Sequence, residues 1–209
     1  MRLKIKTLIN TIKHLKEYIF PVSKLTSKFK KISTIEQLKT FIHERSAHVT
    51  QTTLFGYVKT RMGLKYTMMF ENKSFLDSLE IAKWNIYAVA LADCTFYTFS
   101  YLIDKKNLKK INAETIFIEI LNEEESNGLP SEIYDKAILD FKQRLKNINW
   151  KNFYQENPFK LSCDALYHWS PIADELKELD KEIVLNSIKY KWNLVENEFK
   201  ELTSSFKPS

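Results

Sequence analysis

The sequence predicts an all-α protein, an irregular bundle of five to seven helices that begins with a basic amphipathic helix. Glycine occurs only 3 times and proline only 5 times in 209 residues, so residues that form tight turns are scarce. Apolar residues recur at helical spacing along most of the chain. A chain of this length usually forms one domain. We therefore predict a basic amphipathic arm at 1–31 and a single helical domain at 32–209.

The net charge of +6 is concentrated at the N-terminus. Residues 1–31 contain nine lysines and arginines and one acidic residue, Glu17, whereas the rest of the chain contains 23 basic and 25 acidic residues. Such a difference indicates a polyanionic partner for the arm, either a membrane surface or a nucleic acid. Nucleic acid is the less favoured of the two, because the remaining chain is slightly acidic and shows no second basic stripe.

Residues 1–20 have the pattern of an interfacial helix. One apolar stripe runs along it, formed by Leu3, Ile5, Leu8, Ile9, Ile12, Leu15 and Ile19. The predicted membrane-binding cations lie mostly off that stripe and are Arg2, Lys4, Lys6, Lys13 and Lys16. Charged residues interrupt the apolar sequence too often for a secretory signal or a membrane span. The alternatives are that the stripe inserts into an anionic membrane, docks on the bundle or enters the groove of a partner protein.

The second predicted helix begins at Thr34 and ends at Gly63. Thr34 followed by Gln37 is a capping-box pattern, and glycine is a common C-terminal stop. The middle of this helix, 45–53, is polar but almost uncharged. Because uncharged polar groups suit a hydrogen-bonded interior, we predict that this part faces the next helix.

The next helix, 74–104, is the most apolar element. Its apolar run at 86–103 is long enough to suggest a membrane span, but Asp93 near the centre would be costly in lipid. We interpret it as the central helix of the bundle. A buried Asp93 needs a partner, and the candidates are Arg45, His48 and a tyrosine hydroxyl. Such a pair would fix the helix register, or it would belong to a polar pocket formed by Arg45, His48, Gln51 and Asp93.

Shorter helices are predicted at 112–124 and 131–148 and a short helix or turn at 161–169, followed by a long final helix. Ser170 followed by Pro171 predicts its start, as an N-cap and first helical residue, and it should end near Ser204. Its apolar residues form two stripes: Ile172, Leu176, Leu179, Ile183, Tyr190 and Leu194 on one, and Ile188, Trp192, Val195, Phe199 and Leu202 on the other. We expect both stripes to be buried between neighbouring helices.

Basic residues gather at the end of the second helix. Lys59, Arg61 and Lys65 lie close together in sequence, beside Tyr66. One interpretation is a corner that binds an anion or docks a partner. The other is that these cations offset the helix dipole at its C-terminus.

Several enzyme classes lack support in the sequence. Three scattered glycines cannot form a nucleophile elbow or a glycine-rich phosphate loop. His43 and His48 are five residues apart, whereas a zinc-protease motif requires four. Cys94 and Cys163 have no metal-binding spacing, and two buried thiols suit a reducing compartment. We predict no catalytic residue, metal ion or cofactor, and a cytoplasmic location.

Two sequence runs, TLFGYVKTRMGLKYTMMFE and WSPIADELKELDKEIVLNSIKYKW, resemble a family of small bacterial proteins. The resemblance covers about residues 34–200 and leaves out the arm. Some members of that family carry an esterase label, but the family brings no established activity. It therefore implies no catalytic residue for this chain.

These observations favour a non-enzymatic helical adaptor or assembly factor. We expect it to be peripheral to an anionic membrane, for example the inner membrane, through its N-terminal helix, and its other partner would be a protein. A first alternative is an enzyme or small-ligand binder, for example a hydrolase, that uses the pocket around Arg45, His48 and Asp93. A second is nucleic-acid binding through the arm. The sequence leaves the oligomeric state open.

Overall fold

The computed structural model describes residues 31–69, 71–109 and 113–206. Within these ranges the chain is helical and contains no strand. The α-helices are α1 (Ile35–Met62), α2 (Tyr66–Met69), α3 (Lys73–Lys106), α4 (Ala113–Glu125), α5 (Ser131–Leu145), α6 (Lys160–Trp169) and α7 (Asp174–Leu202), with 3₁₀ turns at Gly63–Lys65 and Phe153–Gln155. The predicted all-α bundle is confirmed. The predicted amphipathic helix of the arm lies outside the described residues.

Helix α3 is the centre of the bundle. It packs against α1, α4, α5 and α6, and every residue from Ala90 to Ser100 is buried. By length and composition α3 would be able to cross a membrane, but 83% of its apolar window is buried inside the protein. A helix surrounded by neighbours is apolar on all sides, which agrees with the predicted core role.

Helix α1 begins and ends where its caps predict. The Thr34 hydroxyl accepts a hydrogen bond from the Gln37 backbone N–H at 3.2 Å. In return, the Gln37 side-chain oxygen accepts from the Thr34 backbone N–H at 3.3 Å. Gly63 ends the helix with a φ of 51°, in the left-handed half of backbone space.

The polar middle of α1 faces the interior, as predicted. Its buried polar residues are Arg45, Ser46, Thr50, Gln51 and Thr53. Two of them are satisfied by their own helix, because the Ser46 and Thr53 hydroxyls each donate to the carbonyl four residues earlier at 2.7 Å. A hydroxyl that bonds within its helix can be buried against α3 at little cost.

Aromatic side chains hold the smaller helices to α3. Phe141 of α5 lies between Phe96 of α3 and Phe117 of α4, with ring centroids 4.5 and 4.0 Å away. Phe159, just before α6, stacks on Trp192 of α7 at 4.1 Å. Stacked pairs of this kind add to the free energy gained by burying their area.

Helix α7 differs from the prediction in two respects. It begins at Asp174, not at Pro171, because Ser170 closes the preceding helix: its hydroxyl donates to the Leu166 carbonyl at 2.6 Å. Burial of both apolar stripes was also expected. The stripe of Ile188, Trp192, Val195 and Phe199 is buried, but the other stripe is largely exposed. The reason is that α7 lies at the edge of the bundle, where α1 and α6 cover it from one side.

Candidate functional site

Asp93 of the predicted pocket is fully buried and paired with residues of α5 and α6. Its carboxylate accepts a hydrogen bond from the Arg144 guanidinium at 2.5 Å and from the Ser162 backbone N–H at 2.8 Å. The expectation that Arg45, His48 or a tyrosine would be the partner is therefore wrong. The Arg144 guanidinium also lies over the Phe96 ring, 4.8 Å from the centroid.

The environment of Asp93 acts on its pKa in two directions. Burial raises the pKa of Asp93, whereas the Arg144 guanidinium and the Ser162 N–H lower it. Burial has the larger effect, since a charge removed from water loses most of its solvation. The buried Asp93 carboxylate accepts one hydrogen bond from α5 and one from α6, so it joins these two helices to α3.

Arg45, the second residue of the predicted pocket, pairs with α7. Its Nε and Nη2 atoms each donate to the Glu198 carboxylate at 2.7 Å. This two-point geometry is the strongest form of an arginine–carboxylate pair. Gln51 is buried and His48 is half-buried on the same helix. Within the described residues no hydrogen bond joins Arg45 to Asp93, so the shared pocket stays a prediction.

A different polar cluster forms where α1, α3 and α4 meet. The His43 Nε2 atom lies 2.8 Å from the Glu124 carboxylate, and Glu124 is buried. The Asn127 side chain donates to the same carboxylate at 3.1 Å. Lys83 of α3 is buried as well, with its ammonium group over the Trp84 ring at 4.1 Å. An imidazole held by a buried carboxylate is an arrangement that can accept or donate a proton.

The charge of Lys83 is disfavoured by its surroundings. Burial lowers the pKa of Lys83 to about 8, although Glu80 and Glu124 act in the opposite direction. Burial also raises the pKa of the neighbouring Tyr87 well above its usual range. Perturbed groups gathered in one place are typical of functional sites, and also of structural networks.

The mouth of this cluster is a cleft of about 570 Å³ between α1 and α4. Its ionisable lining residues are Glu36, Lys39, His43, Glu44 and Glu123. Lys39 bridges Glu119 at 3.0 Å and Glu123 at 2.8 Å. His43 therefore lies at the wall of a polar cleft with its buried carboxylate behind it.

Local sequence patterns do not predict this cluster. Glu124 is 81 residues from His43, and no motif connects them. Lys83 did carry a signal, because it stands between Leu79 and Ile86 on an apolar face of α3, at spacings of four and three residues. A lysine on an apolar helix face indicates one of two things. Either its ammonium group is buried, or that part of the helix lies outside the core.

The basic corner connects α1 to α7. Arg61 forms a two-point ion pair with Asp180, and this pair lowers the pKa of Asp180. Burial, together with Asp180, raises the pKa of the nearby Tyr57 to about 12. Lys59 and Lys65 are exposed and Tyr66 is half-buried. Arg61 thus has an internal partner, whereas docking through Lys59, Lys65 and Tyr66 stays a prediction.

The cysteines are two separate buried thiols, as predicted. Both are free, and burial raises the pKa of Cys94 and of Cys163 to about 12. A thiol with such a pKa is a poor nucleophile at neutral pH. Across the three described ranges, no group of three or more His, Cys, Asp and Glu residues could hold a metal ion.

No family model, no curated protein and no solved structure matches this chain. The resemblance to small bacterial proteins therefore supplies no activity. The predicted membrane-binding residues Arg2, Lys4, Lys6, Lys13 and Lys16 lie outside the described part of the chain.

Proposed function

We propose that the protein is a non-enzymatic helical adaptor or assembly factor that is held at an anionic membrane surface by its N-terminal arm. The observation that carries this proposal is the separation of charge. Residues 1–31 hold nine basic residues and one acidic residue, while the rest of the chain has a net charge of −2. Each basic residue near an anionic bilayer contributes about 1 kcal/mol, reduced by salt.

The interior of the bundle supports a non-enzymatic role. Asp93, Arg45 and Arg61 each form an ion pair that joins α-helices distant in sequence. Residues used in this way stabilise the arrangement of the helices. The apolar surface of α3 is accounted for by burial within the protein. A membrane contact would therefore fall to the arm.

The attachment point of the arm suits this role. Ile32 is buried, and its backbone N–H donates to the Leu202 carbonyl at 3.0 Å. The described chain thus starts at a fixed point beside the end of α7. Residues 21–31 are long enough to span up to about 36 Å. An amphipathic segment at 1–20 on such a tether would be able to lie flat on a bilayer while the bundle stays above it.

Co-sedimentation of the full chain with lipid vesicles tests the proposal. The arm variant replaces Lys4, Lys6, Lys13 and Lys16 with Gln. A control variant of equal net charge replaces four exposed lysines of the bundle, Lys73, Lys109, Lys146 and Lys160. We expect the wild type and the control to bind phosphatidylserine vesicles at low salt and to dissociate from them at high salt. Neither protein should bind phosphatidylcholine vesicles. We expect the arm variant to remain in solution.

Two outcomes would reject the membrane proposal. One is that the wild type does not bind anionic vesicles at low salt. The other is that the arm variant and the control lose binding equally, since non-specific attraction by total charge would then explain the result.

A second candidate function is favoured by the His43–Glu124 pair at the wall of its cleft. This pair would suit a hydrolase that takes a small ester, with His43 as the base and Glu124 holding the imidazole. Hydrolysis of p-nitrophenyl acetate by the full chain tests this function. His43→Gln should abolish turnover, whereas His168→Gln, at an exposed position, should not. Equal rates for the wild type and His43→Gln would exclude His43 as a catalytic residue.

A further inference from the structure

An uncovered apolar stripe runs along the outer side of α7. We define the α7 stripe as Leu176, Leu179, Ile183, Tyr190 and Leu194, all exposed. Leu179 and Ile183 in its middle are 77% and 72% exposed. The stripe extends over about 27 Å of helix. Large apolar residues that are exposed singly are common, but five on one face of a single helix mark an interaction surface.

The spacing of the stripe is that of a helix seam. Leu176, Leu179, Ile183 and Tyr190 follow one another at intervals of three, four and seven residues. Asn186 fills the position between Ile183 and Tyr190. This is the pattern by which one helix packs lengthwise against another. A polar residue within the seam is a feature that fixes register.

Charge changes sign along the same surface. Along one flank of the α7 stripe, the residues spaced seven apart are Glu175, Glu182, Lys189 and Glu196, so the sign of the charge changes between Glu182 and Lys189. Glu182 and Lys189 lie on the same flank of the α7 stripe, seven residues apart. Within one helix they are about 10 Å apart, too far for an ion pair. Glu182 and Lys189 are therefore placed to form ion pairs with a second helix.

We propose that the α7 stripe binds the α7 stripe of a second copy of this chain, in an antiparallel two-fold dimer. An antiparallel arrangement centred between Ile183 and Asn186 places Leu179 beside Tyr190 of the other copy, and Ile183 beside its Asn186. It also places Glu182 beside Lys189, twice, by symmetry. A parallel arrangement would instead put the two Glu182 side chains on opposite sides of the seam, and likewise the two Lys189 side chains, so that Glu182 and Lys189 would not meet. Opposite charges thus select the antiparallel dimer.

The apolar area is in the range that a dimer requires. The exposed parts of the five side chains amount to roughly 500 Å² for each chain, near the upper end for the largest patch on a monomer. Two chains, with the flanking residues, would bury somewhat more than about 1,000 Å², the lower range of specific interfaces. We therefore expect a dimer of micromolar affinity. This inference uses only described residues and is independent of the membrane proposal.

Sedimentation equilibrium of the full chain, over a concentration range that brackets micromolar values, tests the dimer. Leu179→Glu and Ile183→Glu should each weaken dimerisation by roughly a hundredfold or more, because they place a carboxylate in the apolar seam. Leu139→Glu is the matched control. Leu139 is 67% exposed on α5, away from α7, so this variant should dimerise like the wild type.

Charge reversal tests the antiparallel geometry. Glu182→Lys and Lys189→Glu should each weaken the dimer by about tenfold, since two like-charged pairs replace two ion pairs. The double variant should restore wild-type affinity. Glu182→Lys also places a lysine four residues after Glu178, which favours the helix. A loss of dimer by that variant is therefore not a loss of folding, and its circular dichroism melt should be unchanged.

Three results would overturn the proposal. A full chain that stays monomeric at all concentrations would mean that another molecule, or the arm itself, covers the α7 stripe. A dimer that resists Leu179→Glu and Ile183→Glu would form through a different surface. A dimer that is weakened by both charge reversals and not restored by the double variant would exclude the antiparallel register.

Discussion

At the scale of the residue, Asp93 shows how a buried charge can join helices. Its side chain is fully buried, and its two donors come from α5 and α6. Removing one partner of a buried pair leaves the other charge without compensation. The loss in the free energy of unfolding should thus depend on whether a substitution removes Asp93 or its partner.

We predict that Arg144→Met lowers the free energy of unfolding by about 3–5 kcal/mol, because Asp93 loses its countercharge. Asp93→Asn should cost less, since the neutral amide keeps the shape and can still accept from Ser162. The double variant should be less destabilised than the sum of the two single variants. Urea unfolding of the four proteins gives the coupling free energy. Additive effects would show that Asp93 and Arg144 act independently.

His43, Glu124 and Lys83 illustrate a second feature at this scale. Each comes from a different helix, and the three form one buried polar cluster behind an open cleft. A lysine whose pKa is lowered to about 8 is partly neutral in mildly alkaline solution.

At the scale of the element, packing decides how much each helix contributes to the stability of the bundle. α5 contacts the bundle through few fully buried side chains, chiefly Ala137 and Phe141. Phe141 is the larger, and it stacks on both Phe96 and Phe117. The attachment of α5 therefore depends strongly on a single ring.

We predict that Phe141→Ala lowers the free energy of unfolding by about 3–5 kcal/mol, through lost burial and the cavity left between the two rings. The matched substitution on the same helix is Leu139→Ala, at an exposed position, which should change stability by less than about 0.5 kcal/mol. Chemical denaturation measures both. If Phe141→Ala were as mild as the control, α5 would be held mainly by its ion pairs.

The two ends of α7 show the limits of local signals at this scale. Ser170 and Pro171 resemble a helix start, yet Ser170 bonds back to Leu166 and the helix begins at Asp174. The Ser170 hydroxyl could either cap the N-terminus of the next helix or donate to a carbonyl at the end of α6. The preceding helix α6 decides between them because its C-terminal carbonyls need donors.

At the scale of the whole molecule, the buried apolar residues of the described ranges form one continuous core. It includes side chains from α1, α3, α4, α5, α6 and α7. Trp84 lies in α3 and Trp192 in α7, and both are fully buried. That residues 32–209 form a single domain stays a prediction, and a shared core makes it testable by unfolding.

We predict that the bundle unfolds in one cooperative step. Tryptophan fluorescence and far-ultraviolet circular dichroism should give the same midpoint and the same dependence on urea, as for a two-state domain. Two separate midpoints would mean that α7 and the helices around α3 unfold independently, and the single-domain prediction would then be wrong.

The sequence alone determined the features that depend on nearby residues. Scarce glycine and helical periodicity predicted the all-α class. Thr34, Gln37 and Gly63 predicted both ends of α1, because caps involve residues within one turn. The apolar composition of α3 predicted its central position. The charge of the arm is likewise a property of the sequence itself.

The tertiary structure decided the features that depend on residues far apart in the chain. Asp93 and Arg144 are separated by 51 residues, His43 and Glu124 by 81, and Arg45 and Glu198 by 153. Side-chain spacing within a helix shows which residues share a face, but not which other helix will lie against that face. For the same reason, two apolar stripes on α7 looked equivalent in sequence. Only the packing of α1 and α6 against one of them left the other exposed, because a helix at the edge of a bundle has neighbours on one side only.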